Sequence, residues 1–439
     1  MEYGGKNKSE KERNSMKRNE IPQQGLLQGV RVVVSAISVA GPFAAEVLAD
    51  MGADVIQLEN PKNPDFSHGG PNPGWQNESH RRNMRDITLD VTKPKGREAF
   101  LRLMKETDIF IESSKGGQWA GWGLSDEFLW KVNPKLVIAH ISGYGQTGLK
   151  EYISRAAYDP IAQAFGGLVY ANGDDTMPYF PIADNVIDYY TALFTSTSCL
   201  SAYINALRTG KGESLDIAQY ECGLRTLCQY LLQDIVEGNP EKRSMWIAAS
   251  LCSGIGNYDC KEGSVFMIAT GFQVCKRLAL LLGFPYGTDE FPAGDYGFFR
   301  HTENGKKVEA ALQTFCKEHS ASEVEKILND NKIPCSQVLT YQDMLTNPQY
   351  LARESLTVNP STRWEDPKNP GQPLPVTMPN IVPRAKNNPL SIWRTGVDFG
   401  YDTADVLADL GYSEAEIKGF FDKGISVSRQ DACPQYKHL

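Results

Sequence analysis

Short apolar runs alternate with amphipathic segments along the first third of the chain. The β-branched run Val30-Arg31-Val32-Val33-Val34 follows a glycine, which is typical of a buried strand. Residues 40–49 place their apolar positions on one face, with Pro42 near the first turn, and so predict a helix. The same alternation predicts strands at 54–59, 87–90, 108–111 and 136–140 and a helix at 95–106. Strands that alternate with helices at this interval predict an α/β fold with a mostly parallel, doubly wound sheet.

The first strand–helix–strand unit has the layout of a dinucleotide-binding crossover, and Glu59 lies where a ribose-binding acid would lie. Residues 35–41 connect the strand to the helix and contain a single glycine. The phosphate-binding fingerprint needs three glycines, for a tight turn and a close approach of the backbone. We therefore predict a Rossmann-like sheet without a nicotinamide or flavin cofactor.

The rest of the pattern divides the chain into four parts that differ in composition. They are a polar, disordered tail at 1–24, the first part of a large Rossmann-like domain at 25–220, a smaller α+β domain at 221–335, and a linker with a return to the large domain at 336–439. Pro and Asn residues at 340–397 indicate an extended surface stretch within the last part. Residues 189–207 carry no charged side chain and predict a buried helix.

Composition and charge narrow the classes of function. With 439 residues, 41% of them hydrophobic, the chain has enough apolar side chains for a large core, which excludes wholesale disorder. The formal net charge of −8 argues against non-specific nucleic-acid binding, which needs a basic surface. The nine cysteines lack a paired spacing and the N-terminal segment lacks an apolar signal core, so we expect reduced thiols in the cytoplasm. No apolar run is long enough to predict a membrane span.

Several familiar catalytic motifs are absent from the sequence. It contains no G-x-S-x-G, no P-loop, no H-E-x-x-H and no C-x-x-C. The six histidines are far apart along the chain, so no metal site is predicted. His140, at the end of a predicted strand, is expected to have a structural role.

Three polar clusters remain, and each allows a functional and a structural interpretation. The first is the turn Arg81-Arg82-Asn83, which from composition alone is interpreted as a solvated basic turn. Residues 112–117 place Lys115 on a glycine-flanked turn at the carboxyl end of a strand, where open α/β sheets bind ligands and a lysine can meet a phosphate. Asp184 and Asp188 lie at the start of the long apolar helix. They can act as helix caps, or such a carboxylate can act as a nucleophile in a dry pocket.

At these clusters the sequence resembles the family III CoA-transferases, nearest to the members that act on L-carnitine and on bile acids. Matching blocks run in order from about Gly25 to Gly424, at 39–44, 108–117, 133–148, 158–167, 209–213, 347–355 and 388–394. The family's nucleophile is an aspartate at a fixed distance before a T-G-[KR]-G turn. Asp188 lies at that distance before Thr209-Gly210-Lys211-Gly212, and Asp184 does not. The resemblance therefore implies that Asp188 is the catalytic residue.

The resemblance also implies a substrate and an assembly. Coenzyme A, as acyl-CoA, is expected as a substrate rather than a tightly bound cofactor, and a free carboxylic acid of bile-acid or carnitine type as the acceptor. The expected CoA contacts are Val39, Ala40, Arg81, Arg82, Asn83, Ser113, Ser114, Lys115 and Tyr158. The implied assembly is an interlocked homodimer of ring-like chains, with neither a nucleic-acid nor a membrane partner.

The sequence departs from the family pattern in two places. Members usually carry an arginine, taken to contact a CoA phosphate, just after the lysine turn, whereas Trp119-Ala120-Gly121-Trp122-Gly123 has none. The glycine-rich loop of some members is not evident, and Thr270-Gly271-Phe272 stands in its place. Two alternatives stay open. One is an acyl-CoA racemase on the same scaffold, which needs a general acid/base pair at the α-carbon. The other, suggested by the missing arginine, is a non-catalytic CoA-binding subunit.

Overall fold

The computed structural model describes residues 16–68, 74–237, 251–293 and 296–428. These residues form two compact units. The first contains the described chain up to Val169, then Pro181–Cys228, and the chain from Glu354 onward. The second contains Tyr170–Phe180 and Gln229–Arg353, whereas the sequence pattern placed the small domain at 221–335.

A six-stranded sheet forms the centre of the first unit. Its strands are β1 (Arg31–Ser35), β2 (Asp54–Glu59), β3 (Met84–Thr88), β4 (Ile109–Glu112), β5 (Val137–Ser142) and β6 (Ser214–Ala218). They lie in the order β3-β2-β1-β4-β5-β6, and every neighbouring pair is parallel. This confirms the predicted Rossmann-like sheet. The strand order reverses between β1 and β4, which is where open α/β sheets form a ligand crevice.

Helices cover both faces of this sheet and build the second unit. They are α1 (Ala40–Asp50), α2 (Trp75–His80), α3 (Pro94–Met104), α4 (Gln118–Gly121), α5 (Asp126–Val132), α6 (Lys150–Ile153), α7 (Asp159–Phe165), α8 (Leu168–Ala171), α9 (Val186–Thr209), α10 (Gln219–Leu224), α11 (Cys228–Glu237), α12 (Phe272–Leu281), α13 (Glu303–Glu318), α14 (Ala321–Asp330), α15 (Tyr341–Thr346), α16 (Pro348–Ala352), α17 (Thr403–Asp409) and α18 (Glu414–Asp422).

Side chains alternate across the sheet and form two separate cores. Val32 and Val34 of β1 pack with α1 and α9, and Val33 between them packs with α3, α5, α17 and α18 on the opposite face. Helix α9 is half buried rather than buried as predicted. Small residues such as Cys199 pack in the core with α1, and four large apolar side chains of α9 are exposed: Leu193, Phe194, Ile204 and Leu207.

The second unit has its own core and its own antiparallel sheets. Its strands are β7 (Cys252–Ser253), β8 (Ile255–Asp259), β9 (Ser264–Ile268), β10 (Phe298–Phe299) and β11 (Cys335–Gln337). They pair in the orders β11-β9-β8 and β10-β7. Helices α12, α13 and α14 bury Leu278, Leu312 and Leu328 against the larger of these sheets. This is the predicted smaller α+β domain.

The predicted extended stretch at 340–397 contains more regular structure than expected. It includes α15 and α16, followed by an antiparallel hairpin of β12 (Leu356–Glu365) and β13 (Pro373–Pro379). The chain re-enters the first unit at Glu354, just before the hairpin. Farther along, Arg394 Nη2 pairs with Asp402 Oδ2 at 2.6 Å. The capping box predicted by Ser413 and Glu416 is present at the start of α18.

The predicted disordered tail is described only in part, because residues 1–15 lie outside the described residues. Residues 16–24 contact the first unit instead of extending into solvent. Ile21 is buried, Arg18 Nε lies 3.5 Å from Asp54 Oδ2, and the Met16 amide donates to Asp402 Oδ1 at 3.2 Å. Among the helices that the structure describes, none combines the length and the apolar character that a membrane crossing requires.

Candidate active site

The loops that follow β1, β2 and β4 meet at the carboxyl edge of the large sheet. The Ile37 amide donates to Ser113 Oγ at 3.3 Å, and the Ser38 amide donates to Asp65 Oδ2 at 2.7 Å. Val39 and Ala40 come next, at the start of α1, and both are buried. The structure therefore brings the predicted CoA-contacting segments after β1 and β4 together at the strand-order reversal.

Asp188 is buried in the first turn of α9. Its Oδ1 accepts a hydrogen bond from Nε2 of Gln219, the first residue of α10, and no other side-chain donor in the described chain bonds this carboxylate. Residue Asp159 caps the helix: its Oδ2 accepts the amides of Ile187 at 2.7 Å and Asp188 at 3.1 Å. Capping by Asp159 leaves the Asp188 side chain available for chemistry.

Residues close in sequence to Asp159 and Asp188 also have defined contacts. Gln163 Nε2 donates to Asp159 Oδ1 at 2.5 Å and fixes the capping carboxylate. Tyr158, just before it, is exposed, and its ring lies edge-on to Phe66 at 6.3 Å. Asp184 is exposed at a positive φ of 59° and accepts the Asn185 amide at 3.0 Å, so it shapes the loop before α9.

Burial changes the acidity of Asp188. Removal from water raises the pKa of its carboxyl group, the nearby Asp159 carboxylate raises it further, and the Gln219 hydrogen bond lowers it, with a net value of about 7. A carboxylate that titrates near neutrality is more basic than an ordinary one and hence a better oxygen nucleophile.

The lysine turn after β4 is held from several sides. The Ser114 amide donates to Glu112 Oε2 at 2.6 Å, and Trp119 Nε1 donates to Ser114 Oγ at 3.1 Å. A side chain on Gly116 would meet Ile153 at 2.2 Å, so only glycine allows this close approach. Lys115 is exposed and has no carboxylate partner in the described chain.

His140 links this turn to the sheet. Its Nδ1 lies 2.6 Å from Glu112 Oε1, and its Nε2 lies 3.1 Å from Asp126 Oδ1. Although burial lowers its pKa, the hydrogen bonds to Asp126 and Glu112 and their charges outweigh burial and raise the pKa to about 10. The imidazolium is thus the centre of an ion network, which agrees with the predicted structural role.

The basic turn is not the solvated turn that its composition suggested, because its side chains are buried and paired. Arg81 Nη2 lies 2.5 Å from Asp65 Oδ2, and Arg82 Nη2 lies 2.6 Å from Asp50 Oδ2. Asn83 donates to the same Asp50 at 2.9 Å from a backbone with φ of 60°. A buried guanidinium without a partner would be strongly unfavourable, so these acids hold the arginines inside the fold. It is not a solvated turn, and its guanidinium groups face carboxylates instead of a free phosphate site.

One group of acid and imidazole side chains has the spacing of a cation site. Ligand atoms of Glu59, His68 and Asp86 all lie within 4.8 Å of one another. Arg81 Nη1 lies 2.8 Å from His68 Nε2 and 3.2 Å from Glu59 Oε1, so a guanidinium already supplies the positive charge there. We assign the group to the ion network of the basic turn.

A guanidinium also lies at the segment that lacks the family arginine. Arg97, in the first turn of α3, donates to the carbonyl oxygens of Trp122 at 2.8 Å and Gly123 at 2.5 Å. Trp119 is buried and packs edge-on against Trp122, with ring centroids 5.3 Å apart. Sequence reasoning missed Arg97, Gln219 and Asp159, because their partners are distant in sequence. It missed Gln163 as well, because the role of its partner Asp159 was not recognised.

The comparisons with known proteins agree with this arrangement. Residues 27–403 match the sequence profile of CoA-transferase family III. The bile acid CoA-transferase BaiK of Clostridium scindens is 40% identical over 416 residues, which are 93% of this chain and 91% of that protein.

Solved structures show the same fold. A CAIB/BAIF family protein from Brucella suis superimposes with a TM-score of 0.73 at 27% identity, over 88% of this chain and all of that one (100%). Rv3272 from Mycobacterium tuberculosis, with a TM-score of 0.69 and 20% identity, covers 89% of this chain and 99% of its own, and supports the fold alone. This chain belongs to CoA-transferase family III and is an enzyme that transfers CoA.

Proposed function

We propose that this enzyme moves CoA from an acyl-CoA donor to a free bile acid, with Asp188 as the covalent catalyst. The observation that supports this most directly is the buried Asp188 carboxylate, with Oδ1 bonded to Gln219 and no described donor on Oδ2. One oxygen is oriented and the other is available to attack. The acid class is supported by the 40% identity to a bile acid CoA-transferase.

The chemistry proceeds by exchange of activated bonds. Oδ2 of Asp188 attacks the thioester carbonyl carbon, the C–S bond breaks, and CoA leaves as a thiolate beside a mixed anhydride. The thiolate attacks Cγ of Asp188, and the bond between Cγ and the bridging oxygen of the anhydride breaks. The donor acid departs as a carboxylate, and an aspartyl-CoA thioester remains on the enzyme. The acceptor carboxylate repeats both steps in reverse. Both intermediates react with water, so a buried position of Asp188 protects them.

CoA is proposed to bind along the carboxyl edge of the large sheet. Val39, Ala40, Ser113, Ser114 and Tyr158 flank the crevice. Lys115 is an exposed cation at this edge, and a lysine on a glycine-flanked turn suits a phosphate. Since the side chains of Arg81, Arg82 and Asn83 are bonded within the protein, we assign this turn a role in shaping the crevice. We further propose that the enzyme works in the cytoplasm as a homodimer.

Hydroxylamine trapping tests the covalent step. During turnover it should convert Asp188 to a hydroxamate, detected as a mass change on its peptide. Asp188→Ala should abolish exchange of labelled CoA, and the matched control Asp184→Ala, at an exposed residue, should keep it. Exchange by the Asp188 variant, or labelling at Asp184, would contradict the proposal. Incorporation of α-deuterium from solvent without CoA transfer would identify a racemase instead.

The CoA site and the acid class have their own measurements. Lys115→Ala should weaken CoA binding roughly tenfold at low salt, and less at high salt, because exposed phosphate contacts are screened. Unchanged affinity at low salt would place the phosphates elsewhere. A competition between bile-acyl-CoA and carnitinyl-CoA donors should favour the bile acid, and preference for the carnitine thioester would overturn that assignment.

A further inference from the structure

Three side chains from three different helices form a hydrogen-bonded chain next to the nucleophile. Tyr189 of α9 has its hydroxyl 3.1 Å from Nε2 of His80, which ends α2. His80 Nδ1 lies 3.2 Å from Oε2 of the buried Glu46, on α1. Phe43 of α1 packs edge-on against both rings, with centroids 4.8 Å from Tyr189 and 5.4 Å from His80.

The partners fix the direction of these bonds. Glu46 Oε1 pairs with Arg82 Nε at 3.1 Å, and Oε2 accepts the Nδ1–H of His80. In the neutral form of His80 that carries its proton on Nδ1, the lone pair of Nε2 accepts the O–H of Tyr189. Burial and nearby carboxylates raise the pKa of Tyr189 well above its ordinary value, so the phenol keeps its proton to donate.

This hydrogen-bonded chain connects the first turn of α9 to α1 and α2. Asp159 binds the amides of Ile187 and Asp188. Tyr189 follows the nucleophile directly, and its tether to α1 and α2 restrains the same turn. The Asp188 carboxylate itself is oriented by Gln219 alone in the described chain, so its attack angle depends on how well the backbone beneath it is held.

We propose that Glu46, His80 and Tyr189 act together as positioning residues for Asp188, and that they set the rate of the covalent step rather than the affinity for CoA. The inference rests on the proposed role of Asp188 as nucleophile. Because the three residues act as a unit, breaking either bond should release the whole tether.

A double-mutant cycle on steady-state exchange tests this. Tyr189→Phe removes only the hydroxyl, and His80→Phe removes both hydrogen bonds but keeps a flat ring beside Phe43. Each should lower kcat by roughly tenfold to a hundredfold, the loss expected from a small misplacement of a reacting group, with KM for acyl-CoA within about twofold of wild type. The double variant should lose no more than either single one. The matched control is Tyr203→Phe, the same change further along α9, which should leave kcat unchanged.

The outcomes separate this inference from the proposed function. Exchange by Asp188→Ala would overturn the proposed function itself. If Asp188→Ala is inactive while Tyr189→Phe and His80→Phe keep full kcat, the positioning role is wrong and the nucleophile stands. Additive losses in the double variant, or a rise in KM without a fall in kcat, would also contradict a shared positioning role.

Discussion

At the scale of single residues, Asp188 links acidity, folding and chemistry. Its pKa of about 7 in the folded chain exceeds the ordinary 3.8 because burial and Asp159 disfavour the charged form. Because the pKa is raised, the contribution of Asp188 to the free energy of unfolding is complete below pH 3.8 and is lost as the pH rises through about 7. Above that pH the native state must bury the ionised group. The nucleophile must nevertheless be ionised to attack.

Asp188→Asn should therefore stabilise the protein while it abolishes exchange. The asparagine amide has nearly the same shape as the carboxylate and keeps an oxygen for Gln219. Because it removes a buried charge, the free energy of unfolding should rise by on the order of 2–4 kcal/mol at high pH. Denaturant unfolding should show the gain at pH 8.5 and a much smaller one at pH 4. Wild-type exchange should rise with pH through about 7. Asp184→Asn, at an exposed residue, should give no pH-dependent gain, and an unchanged stability of Asp188→Asn would contradict the buried charge.

Residue chemistry alone left Asp184 and Asp188 equivalent, because either can cap a helix. The cap in the structure is Asp159, which reaches the amide of Asp188 from 29 positions earlier in the chain. A contact over that distance has no signature in local sequence, so only the family resemblance singled out Asp188. The proposed nucleophilic role stays a prediction for the trapping experiment.

At the scale of elements, adjacent β-branched residues predicted buried strands reliably, whereas alternating polar and apolar residues did not reveal the edge strand β6. β1 and β2 lie within two residues of their predicted ends, since both strands are buried and each contains adjacent β-branched residues, Val32–Val34 in β1 and Val55 with Ile56 in β2. β6 was missed, because Ser214–Ala218 has polar residues at alternate positions and lies at the edge of the sheet. Helix α9 was expected to be buried all round, since exposed apolar side chains and buried ones look alike in sequence.

The turn that carries Lys115 depends on a protonated His140, and that dependence has a measurable sign. The folded pKa of about 10 exceeds the usual 6.5, so the ion network contributes fully below 6.5 and is lost as pH rises towards 10. His140→Gln should unfold at lower denaturant than wild type at pH 6, and the difference should shrink towards pH 10. The exposed His301 provides the matched control, since His301→Gln should show no such trend. A difference that stays constant with pH would contradict an imidazolium at this position.

At the scale of the whole molecule, the sequence predicted the parallel sheet and a smaller α+β domain, but not the ion pairs within the large unit. Arg81 joins Asp65, Arg363 joins Asp398 at 3.0 Å and Arg394 joins Asp402, all between segments of irregular backbone or element ends. Local sequence shows only charged residues, which are usually solvated. In the structure these residues form ion pairs, and the basic turn is buried, which is why its interpretation as a solvated turn was wrong.

The assembly implied by the family resemblance is an interlocked homodimer, and the surface of α9 is consistent with a protein partner. Leu193, Phe194, Ile204 and Leu207 are each at least 42% exposed in the single chain, on a helix without a charged residue from 189 to 207. Exposed large apolar side chains are unfavourable in water, and several of them on one helix are typical of an interface. In an interlocked dimer neither chain can leave without unfolding, so dilution should not produce monomers. Sedimentation velocity from micromolar to nanomolar concentration should show a constant dimer. Tagged and untagged dimers should exchange subunits only after denaturation and refolding. A reversible monomer, or exchange under native conditions, would show that the chains are not interlocked.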